Sequence, residues 1–250
     1  MTSGISVSMK CRRNQSQRQP LSRETTVGWW TWAAMLFTHG RFPDRRLHQR
    51  AVMAVATLGS RPLDSIPHAA KDWGQAKAIY RWIGNKRVRF KMLVQSVSAS
   101  TAHAAAGRGR IFAIQDTTAV SFPKSTAAKL GPIGKPNSHG MFVHTTLAVD
   151  ENGIVLGILD LQWWCRKPED RGCAATRKQR PIEAKESFRW LRGMRAARRA
   201  FCENLPADPR PYLIHVMDRE GDIHKVFEEA LAWGLTLTHN CHGRAGGAVS

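Results

Sequence analysis

Apolar residues recur at intervals of three and four from Trp29 to about Ala106, the spacing that turns one face of an α-helix toward a core. Trp32 and Leu36 mark a first face, and Leu47, Val52, Val55 and Leu58 a second. Turn residues divide the stretch at Phe42-Pro43-Asp44, Gly59-Ser60-Arg61-Pro62 and Ile66-Pro67. A further helix is predicted from Trp73 through Ala78, Ile79 and Ile83, stopped by Gly84-Asn85, and a last one starts at Phe90. Residues 27–106 thus predict an all-helical unit. Residues 1–26 are polar, basic and poor in aliphatics; they read as a disordered leader, with a basic arm on phosphates as the alternative.

After Gly109 the period shortens. Ile111 to Ile114 is the short apolar run of a buried strand, and it stops at Gln115-Asp116-Thr117-Thr118. A polar loop with Gly and Pro, Lys129 to Gly140, leads into a strand from Phe142 to Val149. Asn152-Gly153 then predicts a hairpin whose return strand is Ile154 to Leu161. Beyond the polar loop Arg166 to Arg180, one helix face is expected through Ile182, Phe188, Leu191 and Met194. The apolar run Tyr212 to Met217 ends at Asp218. Ile223, Val226, Phe227, Ala230 and Leu231 carry the core spacing of the next helix, Gly234 stops it, and Leu235 to Thr238 is a final strand. The order over residues 107–250 (strand, antiparallel hairpin, helix, strand, helix, strand) is that of an α/β layer structure.

Charge narrows the partner. With 38 Lys and Arg against 19 Asp and Glu, the net charge of +19 implies a polyanion, and the basic residues are spread through the chain rather than held in a tail. No apolar run approaches the roughly 18 residues that cross a bilayer, and the N-terminus lacks the apolar core and cleavage site of a signal peptide. Nucleic acid therefore explains the charge better than a membrane, and a cytoplasmic, nucleoid-associated protein is expected. The helical unit carries Arg45, Arg46 and Arg50 in one segment, and Lys71, Lys77, Arg81, Lys86, Arg87 and Arg89 in another, with Asp44, Asp64 and Asp72 nearly the only acids nearby. The five cysteines are scattered and include no CxxC, which argues against a disulfide framework; His239, Cys241 and His242 lack a second ligand pair and read as surface chemistry rather than a zinc site.

Asp116 and Asp218 each close a buried strand and open a loop. If the two strands are parallel neighbours, the two carboxylates lie close together, and like charges that close call for a cation between them. Mg²⁺, or Mn²⁺ in its place, takes hard oxygen ligands and clamps phosphate oxygens. On spacing alone the blander reading, that each aspartate caps a turn or the next helix, stands slightly ahead.

The surrounding words shift that balance. Ala113-Ile114-Gln115-Asp116-Thr117-Thr118, Phe142 to Val149, Trp163-Trp164, Lys185-Glu186-Ser187 with Trp190, and Asp218-Arg219-Glu220-Gly221-Asp222-Ile223-His224 resemble the bacterial DDE transposases of the IS-four group, relatives of the Tn-five enzyme. Pro43-Asp44-Arg45-Arg46, Ser65-Ile66-Pro67 and Lys77-Ala78-Ile79-Tyr80-Arg81 resemble that family's DNA-binding domain, so the likeness runs from about Trp29 to Arg244. It implies an RNase-H-like core with Asp116 on the first strand and Asp218 at the end of the fourth. It also implies two-metal phosphoryl transfer on double-stranded DNA, at transposon ends and then target DNA. Arg219 and Glu220 would stand beside the metals, and Arg45, Arg46, Arg50, Lys77, Arg81, Lys185 and Arg244 would contact DNA.

The family's third metal ligand, a glutamate on a later helix, has no counterpart: Glu220, Asp222, Glu228 and Glu229 all lie in the loop and helix next to Asp218, where Asp222 reads as a helix cap. With Ala245 to Ser250 resembling a foreign end, the expectation is a C-terminally truncated copy, an incomplete core that holds DNA and lacks cleavage, with an apolar sheet face and an edge near Leu235 left bare. Full-length transposase, in a homodimer or mixed multimer, is a further expected partner. The alternative function is a non-enzymatic inhibitor or regulator of transposition; a nuclease of the same fold is a weaker third.

Overall fold

Local capping chemistry sets the helical boundaries. The computed structural model describes residues 23–123, 130–134, 138–167, 180–234 and 236–239, with side chains from 28 to 234. Helices α1 (Arg23–Leu36), α2 (Arg45–Ser60), α3 (Ile66–Ala69), α4 (Trp73–Ile83) and α5 (Phe90–Ala104) come first. Asp44 caps α2, its Oδ1 accepting the Arg46 N–H at 2.7 Å. Asp72 caps α4 by accepting the Gln75 N–H at 2.8 Å, while Gln75 Oε1 reaches back to the Lys71 N–H at 2.7 Å. Ala33, Phe37, Leu47, Ala51, Val52, Ile79 and Trp82 form the core, and the Trp82 indole donates to the Leu47 carbonyl at 3.0 Å, pinning α4 to α2. Trp32, expected inside, is 43% exposed, because α1 turns Ala33 and Phe37 inward instead. Helix α1 begins at Arg23, inside the stretch read as a leader; residues 1–22 lie outside the described residues.

The second half is one mixed sheet. Strands β1 (Arg110–Ser121), β2 (Gly131–Pro132), β3 (His139–Asp150) and β4 (Val155–Trp164) precede helix α6 (Phe188–Asn204); β5 (Tyr212–Met217), helix α7 (His224–Ala232) and β6 (Thr236–His239) follow. The strand order is β2-β3-β1-β5-β6, with β4 also on β3. β1, β3 and β4 form an antiparallel meander, and β5 and β6 run parallel to β1. A meander extended by two strands parallel to its first is the RNase-H-like arrangement, so the chain is an α/β protein with a helical N-terminal region. The predicted hairpin forms: Gly153 has φ +79°, and Asp150 Oδ1 accepts the N–H groups of Asn152 at 2.9 Å and Ile154 at 2.8 Å.

Three expectations are corrected. β1 does not stop before Asp116 but runs to Ser121, since the antiparallel ladder with β3 continues from Asp116↔Thr145 to Ser121↔Gly140. Ile182 is not on α6; it belongs to a separate 3₁₀ turn, Ile182–Ala184, that follows Pro181. Leu231 is 81% exposed rather than core, because Val226 and Ala230 are the α7 residues that face Met217 and α6.

The helices cover one side of the sheet. Ile111, Ala113, Ala148, Leu159 and Leu213 pack under Ala102 and Ala105 at the end of α5 and under Ala197, Ala200 and Phe201 of α6. Among the described residues no helix packs on the other side, where Phe112, Leu147, Val149, Ile214 and Val216 are half-buried. Gly193 of α6 lets the helix lie close on the sheet: a Cβ there would strike Gln115 Oε1 and come within 2.8 Å of Thr146 Oγ1. Gly193→Ala should therefore cost about 1–3 kcal/mol and lower Tm by roughly 3–10 °C. A thermal melt showing a change under about 1 °C would refute the close packing.

Candidate functional site

Asp116 and Asp218 lie at the same level of the sheet. β1 and β5 are paired in parallel from Arg110↔Tyr212 to Ile114↔Val216, and two more residues along each chain reach Asp116 and Asp218. Asp218 keeps an extended backbone (φ −83°, ψ −175°), so it continues the alternation of Ile214 and Val216. Both aspartates thus belong to the helix-free side, one step beyond the parallel ladder, on strands about 4.8 Å apart. Asp218 Oδ1 also accepts the Glu220 N–H at 2.8 Å, so it caps the 3₁₀ turn Arg219–Gly221, as the blander reading held, while its other oxygen makes no such bond among the described residues. Among the described residues, Asp116 accepts a long 3.4 Å contact from the Thr118 hydroxyl. Arg219 and Glu220 are exposed on that turn. Asp222 does not cap α7, whose N-cap residue is Ile223 without a side-chain bond.

A divalent ion suits this pair. Two carboxylates that hold no ion pair among the described residues offer the hard oxygens Mg²⁺ prefers, and that ion is commonly held by one or two carboxylates, with waters and phosphate oxygens completing its shell. Among the described residues no group of three His, Cys, Asp or Glu side chains is placed to hold a metal. His239 has no described side chain, and Cys241, His242 and Arg244 lie outside the described residues.

Behind the pair, on the α6 side, lies a buried polar ladder. His144 Nε2 donates to Gln115 Oε1 at 3.0 Å, and its Nδ1 accepts from the Thr117 hydroxyl at 2.8 Å, the roles a neutral imidazole can fill. The Trp190 ring stands edge-on to it at 4.7 Å. Burial, then the charge of Arg189, lower the His144 pKa to about 4 against an opposing pull from Asp116. Beside it, Arg166 holds Glu186 through Nε at 2.7 Å and Nη2 at 2.5 Å, and the Trp164 indole donates to the same carboxylate at 3.1 Å. Burial pushes Glu186 up, but these bonds outweigh it and hold the carboxyl below its usual range. Arg189 lies over the Trp164 ring at 3.8 Å.

Two contacts join the basic helices α2 and α4. The Trp82–Leu47 bond, with Arg87 donating to the Pro43 carbonyl at 3.4 Å and lying 3.9 Å from Asp44, sets the start of α2 beside the end of α4. Arg45, Arg46 and Arg50 on α2, and Lys77 and Arg81 on α4, are all exposed. Lys77 sits over the exposed Trp73 ring at 5.5 Å, and Tyr80 is 47% exposed on the same helix, rings that the apolar-face reading of α4 passed over. Lys185 is half-buried in the turn before α6, next to Glu186. Sequence reasoning also missed the arginines of α6: Arg189, Arg192, Arg195 and Arg199 recur at three and four residues opposite its apolar stripe. That spacing was the signal available.

Residues 30–88 match the transposase DNA-binding family. The match spans α1 to α4 and ends just before α5. Among solved structures, a chain in the crystal structure of the Mos1 strand transfer complex is similar at 13% identity, over 80% of this chain and 59% of that one, with a TM-score of 0.28. The chain therefore spans about three fifths of that relative's length. The fold assignment rests on the strand order. Among the described residues no helix is long and apolar enough to cross a membrane.

Two buried histidines tie stability to pH. Burial also lowers the His215 pKa to about 4. Both folded values lie below the ordinary 6.5, so the stabilisation is complete above about pH 6.5 and is lost as pH falls toward 4. At pH 5 each histidine should withdraw roughly 2 kcal/mol relative to pH 7. Urea unfolding at the two pH values measures the difference; equal stabilities would show that these imidazoles are not held neutral.

Proposed function

We propose that this protein is a DNA transposase of the IS-four group, gripping double-stranded DNA with its helical unit and holding Mg²⁺ or Mn²⁺ between Asp116 and Asp218. The observation that carries this reading is the pair of aspartates, level at the end of the parallel ladder, joined to a segment that matches a transposase DNA-binding family. The bound metal would supply Lewis-acid activation of a water or 3′-hydroxyl and stabilise the leaving oxygen of an in-line phosphoryl transfer. Arg45, Arg46, Arg50, Lys77 and Arg81 would neutralise phosphates and fix the register of the transposon end. Arg219 and Glu220 flank the carboxylates, with Glu220 close enough to raise the pKa of Arg166 together with Glu186. Arg244 is retained as a phosphate contact on the resemblance alone, since it lies outside the described residues.

A pair of carboxylates holds metal less firmly than three. Strand cleavage in this reading waits on a third carboxylate from outside the described residues, and the protein binds transposon ends without cutting them until one arrives. A second reading is a non-enzymatic regulator that occupies ends or enters multimers with full-length transposase; among the described residues no group of three ligands is placed to hold a metal. Titration into a transposition assay separates an inhibitor, which lowers the rate, from an inert product, which leaves it unchanged.

Two outcomes are expected. Mn²⁺ titrated calorimetrically should bind the wild-type chain and should lose that binding in Asp116→Asn/Asp218→Asn; equal heats in both would remove the metal from this pair. Duplex DNA should bind with a steep salt dependence, and Arg45→Ala/Arg81→Ala should reduce the log–log slope by about 0.9 for each phosphate no longer neutralised. An unchanged slope would take these two arginines out of the interface.

A further inference from the structure

A second basic surface is lined by residues other than Asp116, Asp218 and the α2 and α4 cations. Helices α5 and α6 and strand β4 enclose a groove of about 960 Å³. Arg41, Lys91, Arg192 and Arg199 line it, and none of the four has an ion pair within 4 Å among the described residues. Its acids are Asp160 on β4 and Glu203 near the end of α6. Burial raises the Asp160 pKa, although the Gln162 amide donates to it at 2.9 Å and Arg192 and Arg199 pull it down, so the wall repels an anion less than a free carboxylate would. At the mouth, the Phe90 and Trp163 rings meet edge-to-face at 6.4 Å and are 42% and 51% exposed.

We propose that this groove binds an unpaired DNA strand, with Arg192, Arg199 and Lys91 on phosphates and Trp163 stacking on a base. Cations interleaved with exposed rings suit a strand whose bases are free to stack, whereas a duplex keeps its bases stacked inside. An acidic protein segment would use the cations but would leave the rings unexplained. Phe90 and Lys91 begin α5 just past the segment that matches the transposase DNA-binding family, so the groove adjoins that segment along the chain. The proposal rests on the reading of the chain as a DNA-handling protein and adds a separate site for one strand.

The test measures fluorescence anisotropy with labelled oligothymidylate and with labelled duplex. Arg192→Ala/Arg199→Ala should reduce the single-strand salt slope by about 1.4, near 0.7 for each phosphate released. Trp163→Ala should weaken single-strand binding roughly tenfold. Both variants should melt as the wild type does and keep duplex affinity within about twofold, whereas Arg45→Ala/Arg81→Ala should show the reverse pattern. Single-strand affinity and slope unchanged in the groove variants, or equal loss for both forms of DNA, would overturn the strand site while leaving the duplex reading standing. If the wild-type chain binds neither form, the DNA-handling reading itself fails.

Discussion

The parallel pairing of β1 with β5 is the constraint on which the rest depends. Five consecutive register pairs, Arg110↔Tyr212 to Ile114↔Val216, fix both the height and the side of the sheet at which the two chains continue. Ile111, Ala113 and Leu213 on one side are buried beneath α6, and fully burying an aliphatic side chain of that size contributes about 1.5–3 kcal/mol. Because strand side chains alternate, a slip of one residue would expose this apolar set and turn Asp116 into the helix-packed layer. A carboxylate there would lose its water without a partner, at a cost of several kcal/mol. Core burial and the position of the aspartates are therefore fixed by the same register.

Helix α6 connects the two chemistries of the molecule. Its inner stripe (Trp190, Leu191, Met194, Ala197, Phe201) closes the core over the sheet, and Gly193 allows the close approach that the buried Gln115–His144–Thr117 ladder requires. Its outer stripe is arginine. All four line the groove, where Arg195 is engaged by Glu229 of α7 and Arg189 by the Trp164 ring, while Arg192 and Arg199 have no ion pair within 4 Å among the described residues. One helical periodicity thus supplies hydrophobic anchorage on one side and positive charge on the other.

Much of this was legible in the residues, where local chemistry decides the outcome. Trp73 to Ile83 forms a helix between the Asp72 cap and Gly84, Phe90 opens the next, and Asn152-Gly153 makes the hairpin, each within a few residues of its own signal. What needed distant partners was not legible. The continuation of β1 past Asp116 depends on its ladder with β3, and neither the inward turn of Ala33 and Phe37 nor the exposure of Leu231 follows from spacing alone. The aspartates were visible as acids after apolar runs, but their common level follows only from the β1–β5 register. The α6 arginines escaped for a different reason: a solvated charged face and a groove wall share one spacing, and only the concavity formed with α5 and β4 separates them.

The distribution of ion pairs bears on what the sheet end is for. Basic residues outnumber acidic ones two to one, and six of the described carboxylates have a cation within 4 Å. Asp150, Glu186, Glu228 and Glu229 each hold one, and Asp44 and Asp72 have one within 4 Å. Asp116 and Asp218 hold none among the described residues, as is true of Asp64, Asp160, Glu203 and Asp222; what sets this pair apart is that the two stand level on adjacent strands, where like charges repel. Arg166 is bound bidentately by Glu186 and lies over the Phe142 ring. In the proposed function, two neighbouring carboxylates with no internal cation among the described residues would take an external one, on the side of the sheet where no described helix packs.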